Sequence, residues 1–492
     1  MLTPTHPPTL QRLVEASSFR SISKATPFWF GNLAHLYLEI RLNLDELEGA
    51  ESARKAEQAH DYIRNAAEVC HAVSTYLGGQ VLEIHGRTIH IGLEYTSPAE
   101  IGDRMKEASG LIHVLLERTY RSGGPDGWRI AGDHAPTLTV TSEGIHQDTS
   151  LVSLSPAANF PAKQLARKQV PRWTAGLNIN QKWGVHTLEE LATAYRCRQR
   201  VQELATGGRS LVQLVEAANA ETINFSSSKA IRQVSAQAAP LGNPSAESLF
   251  SCYGFVLSMD LDGFTKRVER AAVGSMEDKR KLAEDFLDIM RWAAAFAERH
   301  PDTFIQFPFA GDNAIFAVTA ETLEDYKTRK KLSPVKTALE WEETMGDRAR
   351  AAGYGGWGQS LAGGGSPHGN SKGNLHVAGI LLGGRRFLVG IGPGMRHARQ
   401  GFTHVDPSPK ELAMFRADIA DLHERLRKEF YDCPTPLSDR SANYKKAELS
   451  GMKKALAEVE AEQRRAVQSV SQPKIVLPSA AVVTHRPYGG AH

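Results

Sequence analysis

An α/β (α+β) chain made of two copies of one strand–helix–hairpin unit is what the sequence predicts, on three observations. HLYLEIRLNL (35–44), an amphipathic stretch at about 55–77 and QVLEIHGRTIHIGL (80–93) follow one another as strand, helix and hairpin. GFVLSMDLDGFT (254–265), a stretch at about 276–299 and FIQFPFAGDNAIFAV (304–318) repeat that order. Aligning Gly86 with Gly311 and Glu39 with Asp260 gives offsets of 225 and 221 residues, close enough for an internal repeat.

Taken in order, residues 1–30 are rich in Pro, Ser and Thr and read as an arm. The first unit spans 31–180. Its helix carries Ile63, Ala66, Cys70, Val73 and Leu77 at the spacing of one buried face. Gly78 and Gly79 end that helix, and the hairpin alternates about Gly86. A polar, helical linker is expected over 181–251. The second unit spans 252–430, and Leu282, Phe286, Met290, Ala293 and Ala297 form the inner face of its helix. A tail at 431–492 opens with a turn-rich segment and carries a charged helix pattern at about 444–469.

Composition removes several classes of function. The chain has 492 residues, enough for two to four domains, and a formal net charge of +3, too small by itself to imply a nucleic-acid or membrane surface. Cys70, Cys197, Cys252 and Cys433 lie far apart with no CxxC pair, against a zinc knuckle or a disulfide framework. Eighteen His include no HExxH. The N-terminus lacks an apolar signal core and no apolar run reaches membrane-helix length, so a cytosolic protein is expected. GGGSPHGNSKGN (363–374) does not satisfy GxxxxGK[ST] and reads as a loop.

The chemistry concentrates in MDLDGFT (259–265) and AGDN (310–313). Asp260 stands where an apolar strand ends, and Asp312 follows a glycine at the next hairpin. If the strands are neighbours, the two carboxylates converge, and two close carboxylates repel unless a cation neutralises them. Two aspartates with a backbone carbonyl, that of Leu261, suit a hard divalent ion such as Mg²⁺ or Mn²⁺. Such ions hold nucleoside triphosphates in phosphoryl transfer.

FVLSMDLDGFT, a helix and then FAGDNAIFAV together resemble the catalytic core of class III adenylate/guanylate cyclases. The resemblance implies two tandem ferredoxin-like βαββαβ units paired as a pseudo-heterodimer. It implies two divalent metal ions held by Asp260, Leu261 and Asp312, with the base and transition-state residues supplied by the other unit. Phe264 and Thr265, which follow the metal strand, are expected beside the nucleotide. The first unit reads as that other partner: Gly86-Arg87 replaces Gly-Asp, Glu39 stands near the first Asp position, and an Arg cannot ligate Mg²⁺. Glu83 falls on the base-selecting position. SLVSLSPAANFPAKQLAR (150–167) resembles the family's Asn-x-x-x-Arg segment, with Asn159 on the Asn and Lys163 on the Arg. Lys keeps the charge and loses the bidentate fork. In the second unit Arg396 takes the Asn place, so one working site per chain is expected.

A carboxylate at Glu83 accepts hydrogen bonds and therefore suits a base edge with N–H donors: guanine, uracil or cytosine rather than adenine. His85 and Arg87 are candidate donors to base carbonyls. Pro308 at the second unit's base-selecting position, Lys163 for Arg, the AANFPAK segment and a tandem layout without a sensor domain are similar to the pyrimidine cyclases of bacterial Pycsar antiphage defence. That resemblance implies UTP converted to cyclic UMP as a messenger for a downstream effector protein. Cytidylate or guanylate cyclisation is the alternative, and a nucleotide-binding pseudoenzyme the reading from another class. A homodimer is compatible with the sequence; nucleic acid and membrane are not expected partners.

Overall fold

The computed structural model describes residues 13–42, 52–120, 124–143, 149–206, 232–233, 250–261, 263–298, 304–320, 345–354, 357–363 and 374–391. All lie in one compact unit, Met1–Asp406. The expectations for the tail, for Arg396 and for most of the 363–374 loop fall outside the described residues.

The first sheet is built from β1 (Phe28–Ile40), α1 (Ser52–Tyr76), β2 (Gly79–His85), β3 (Thr88–Glu94), α2 (Pro98–Thr119), β4 (Trp128–Glu143), β5 (Thr149–Leu154), α3 (Pro156–Ala166), β6 (Thr174–Ile179) and β7 (Lys182–Thr187). Its strands lie in the order β2-β3-β1-β4-β6-β7, with β5 on β4. The β1-to-β4 portion is a ferredoxin-like βαββαβ. Alternation along β1 decides what each face does. Ala34, Leu36, Leu38 and Ile40 enter a core with α1 and α2, whereas Tyr37 packs on the other face against Ala131, Leu165 and Val170.

The second sheet repeats the plan with β8 (Arg232–Gln233), β9 (Phe250–Leu261), α6 (Phe264–Val273), α7 (Met276–Glu298), β10 (Phe304–Ala310), β11 (Asn313–Ala320), α8 (Asp347–Ala351), β12 (Trp357–Gly363), β13 (Asn374–Leu382) and β14 (Arg385–Ile391). Here β11 lies between β9 and β10 as β3 lies between β1 and β2. The match holds to the residue. Glu39 pairs with Thr88 and Asp260 with Asn313, while Ile40 pairs with Trp128 and Leu261 with Trp357. Where β4 runs unbroken along β1, the second unit splits the same strand into β12 and β13 around an insertion.

Each unit completes the other's core. Ala378, Ile380, Leu382, Phe387, Val389 and Ile391 of β13–β14 join the core under α1, and Leu138, Val140, Val152 and Leu154 of β4–β5 join the core under α7. The contribution of strands to cores is therefore reciprocal between the two units.

Two boundaries differ from expectation. The N-terminal arm is partly core, because Ala16 and Phe19 are buried against Trp29 and Leu33. The expected linker from 181 starts inside the first sheet: β7 pairs with β6, and α4 (Leu188–Ala194) and α5 (Cys197–Thr206) lay Leu188, Leu191 and Val201 into the first core. A capping box between Thr187 and Glu190 starts α4. Helix α2 is the second helix of the βαββαβ order expected of the unit. Among the described residues no helix is long and apolar enough to cross a membrane.

Candidate active site

Strand β9 ends at Leu261, which is buried, so its carbonyl is held at the sheet edge beside Asp260. The register sets Asp260 opposite Asn313, the residue after Asp312 in the β10–β11 turn. Gly311 makes that turn with φ +64°, a left-handed conformation that glycine adopts without strain. Asp312 is half-buried. Burial pushes the nearby Tyr354 phenol up to about 12; Asp285 and Asp312 act in the same direction, while Arg267, stacked 4.5 Å over its ring, opposes them.

Gly263, with φ +82°, starts α6 directly after this strand end. Thr265 is exposed on the first turn. Phe264 corrects the expectation placed on it. Its ring is buried in the second core, 5.2 Å from Phe286 and 6.2 Å from Tyr354, because α6 buries Phe264, Val268 and Ala271 on one stripe.

Helix α3 of the first unit brings the other half. Ser155 caps it by accepting the Ala157 N–H at 3.2 Å, and Pro156 occupies its first position. Asn159 and Lys163 are four residues apart and share a face, Asn159 half-buried and Lys163 exposed. Helix α3 lies against α6. A methyl group placed on Gly311 would stand 3.7 Å from Asn159 Oδ1. Residues from both units thus meet at the Gly311–Asp312 turn.

Glu83, the expected base reader, is 3% exposed on β2 and already engaged. His85 Nε2 lies 3.1 Å from one carboxylate oxygen and His90 Nδ1 2.9 Å from the other. His90 Nε2 is 3.0 Å from His35 Nδ1, and His35 Nε2 is 2.9 Å from Thr137 Oγ1. The Thr137 hydroxyl donates to Ala135 O, so His35 Nε2–H donates to Thr137 and His90 Nε2–H to His35. Burial holds His35 well below the usual histidine range, which keeps it neutral. One further proton then sits between His90 and Glu83. His35 and His90 were not legible as partners, though the alternation of HLYLE (35–39) and TIHI (88–91) set each among apolar neighbours.

Arg87 is also corrected. Rather than facing a base, it binds Glu39 at 2.6 Å and donates to Leu42 O. Arg129, buried and beyond the sequence-based site, binds the same carboxylate at 2.5 Å. Two guanidiniums thus surround Glu39 at the register position that Asp260 holds in the second unit. Pro308, the counterpart of Glu83, is buried on β10 beside a bulge.

A separate group, His113, Glu117 and Glu189, has metal-compatible ligand atoms close together. Arg198 is bonded to both glutamates, at 2.9 and 2.6 Å, so the group serves as an ionic tie between α2, α4 and α5.

No protein-family model matches the chain, and no curated protein matches it in sequence. Among solved structures it is similar to a class III adenylyl cyclase-like ATP-binding protein from Pseudomonas aeruginosa, with TM-score 0.57 and 14% identity over 79% of this chain and 86% of that one. It also matches the adenylyl cyclase CyaB from P. aeruginosa (TM-score 0.24, 11% identity, 34% of this chain and 83% of that chain) and the guanylyl cyclase Cya2 (0.22, 13%, 33% and 79%). The first likeness shows the fold, that of a class III adenylyl cyclase-like protein across both units.

Proposed function

We propose that the chain is a nucleotidyl cyclase, converting a nucleoside triphosphate, with UTP favoured, to the 3′,5′-cyclic monophosphate and pyrophosphate. The observation that carries this reading is the approach of Asn159 on α3 to the Gly311–Asp312 turn of the other unit. Asp260, the Leu261 carbonyl and Asp312 offer hard oxygen donors, a set that fits Mg²⁺ or Mn²⁺. In the first unit two guanidiniums neutralise the carboxylate at the equivalent register position, the charge balance that divalent cations would supply here. Two such cations would lower the pKa of the ribose 3′-hydroxyl and hold the triphosphate. Asn159 orients the ribose, and Lys163 faces the charge that develops as the 3′-oxygen bonds to the α-phosphorus and the bond to pyrophosphate breaks. The hydroxyl proton leaves to solvent. Thr265 stands at the nucleotide end of α6.

The sequence places base choice on Glu83. The fold buries that carboxylate between His85 and His90, so the preference for UTP rests on the sequence resemblance. The role as an antiphage messenger enzyme serving a downstream effector rests on the sequence resemblance, as does a homodimer. A second reading, nucleotide binding without turnover, draws support from the fold neighbour whose name is an ATP-binding protein.

The test is incubation with ATP, GTP, CTP and UTP separately with Mn²⁺, followed by mass spectrometry of products. Cyclic UMP with pyrophosphate is the expected result. Cyclic CMP or cyclic GMP would keep the cyclase and change the base. Metal-dependent binding with no product in the parent, lost in an Asp260→Ala, Asp312→Ala double variant, would favour the second reading.

A further inference from the structure

The vestigial metal position of the first unit does more than stand idle. Arg129 donates from Nε to Glu39 at 2.6 Å, from Nη2 to Leu165 O at 2.7 Å and from Nη1 to Val170 O at 2.8 Å. Leu165 lies in the last turn of α3, and Val170 anchors the segment that leaves it. The same guanidinium therefore ties the strand-end carboxylate of β1 to the C-terminal end of the helix that carries Asn159 and Lys163. Arg87 holds the other oxygen of Glu39 and donates to Leu42 O, fixing the carboxylate from its far side. Cationic donors at a helix C-terminus also oppose the dipole's negative end.

We propose that Glu39, Arg87 and Arg129 are a positioning unit for the single working site: the first unit's lost metal site has become a pin that sets where α3 places Asn159 and Lys163 against the Gly311–Asp312 turn. The proposal rests on the cyclase reading for its kinetic consequence, but the pinning of α3 is a property of the chain alone. Asn159 is six residues from Leu165, about 9 Å along the helix axis. Pro161 lies inside the helix between the two and fixes its own φ, and the helix runs only from Pro156 to Ala166, so slack at its last turn is passed on toward Asn159. Arg is required because no Lys spans a carboxylate and two carbonyls at once.

The experiment compares the parent with Arg129→Lys, Glu39→Gln and, as a control outside the site, Arg198→Ala. Turnover is measured with the preferred triphosphate and Mn²⁺, and amide exchange is followed by mass spectrometry. Arg129→Lys should lower kcat by roughly tenfold to 100-fold with KM changed much less, since misplacement costs the transition state most. Exchange should quicken in 157–170 and not in α7 or β9–β11. Glu39→Gln keeps the carbonyl contacts and should show the same pattern more weakly, so it decides the matter if Arg129→Lys does not fold. Arg198→Ala should leave both readouts at parental values. Unchanged kcat in a folded Arg129→Lys, or exchange that quickens across both sheets alike, would overturn the proposal. If the parent turns over none of the four triphosphates, the cyclase reading fails instead. Exchange then decides the pin: faster exchange confined to 157–170 sustains it, and none overturns it.

Discussion

Phe264 and Thr265 are adjacent on one turn of α6, yet the structure gives them opposite duties. A Phe after a turn glycine can face a cleft or a core, and only the helical stripe Phe264, Val268, Ala271 decides between them. Phe264→Ala should remove about 3–5 kcal/mol of stability, the range for an emptied aromatic core site. Thr265→Ala should stay within about 0.5 kcal/mol of parent. Urea denaturation measures both, and a loss below about 1 kcal/mol for Phe264→Ala would return its ring to the cleft. Glu83 carries a related lesson. Sequence offered a lone carboxylate, whereas the fold surrounds it with His85 and His90 and completes a relay through His35 to Thr137. Those partners come from β1, β2, β3 and β4, so no window of sequence contains them.

At the scale of elements, helix α3 depends on its two ends: Ser155 starts it and Arg129 holds its finish. Losing the cap through Ser155→Ala should cost about 1 kcal/mol of stability. Turnover should fall by more than stability alone implies, because the frayed turn is the one before Asn159. Denaturation midpoints beside kcat at saturating triphosphate test this; a parental kcat would show that the cap serves stability only. The elements that sequence reveals well are those whose burial repeats locally. Strands β1 and β9, helices α1 and α7 and both hairpins follow from alternation, a helical stripe and turn glycines, and their pairing placed Glu39 and Asp260 in equivalent registers. Less legible were β7, α4 and α5. Strand β7 is an edge strand with no fully buried residue, so KWGVHT carries only a weak apolar signature. The pin on α3 was hidden for the same reason as the relay, since Arg129 reads as one of several polar residues of its strand until the sheet brings Glu39 beside it.

The whole molecule is held by cores that neither unit completes alone, and the surface between the units buries imidazoles. His60 on α1 is hydrogen-bonded to the Gly379 backbone on β13, and burial pushes it down to about 4. His376, also on β13, is pushed down to about 4 by the same cause. His71 is lowered too, by burial and by Arg385, which packs against this same seam. A histidine whose folded pKa lies below its unfolded value near 6.5 binds a proton first in the unfolded chain. Acidification through that window therefore favours unfolding, and stability rises with pH between about 4 and 6.5. For His60 and His376 the lowered values correspond to about 3 kcal/mol each, fully present above pH 7 and lost as pH falls toward 4. Carboxylates titrate mostly below pH 5, so the decline between pH 7 and 5 belongs to the imidazoles. Urea midpoints across pH 5 to 7.5 should fall steadily on the acid side. In a His60→Gln, His376→Gln double variant the same series should flatten, because glutamine keeps a hydrogen-bonding side chain without a proton to gain. A parental curve as flat as the variant's would mean that these histidines do not bear on the joint. A slope that survives the double substitution would assign the acid sensitivity to the other histidines that burial lowers, His35, His71, His113 and His134.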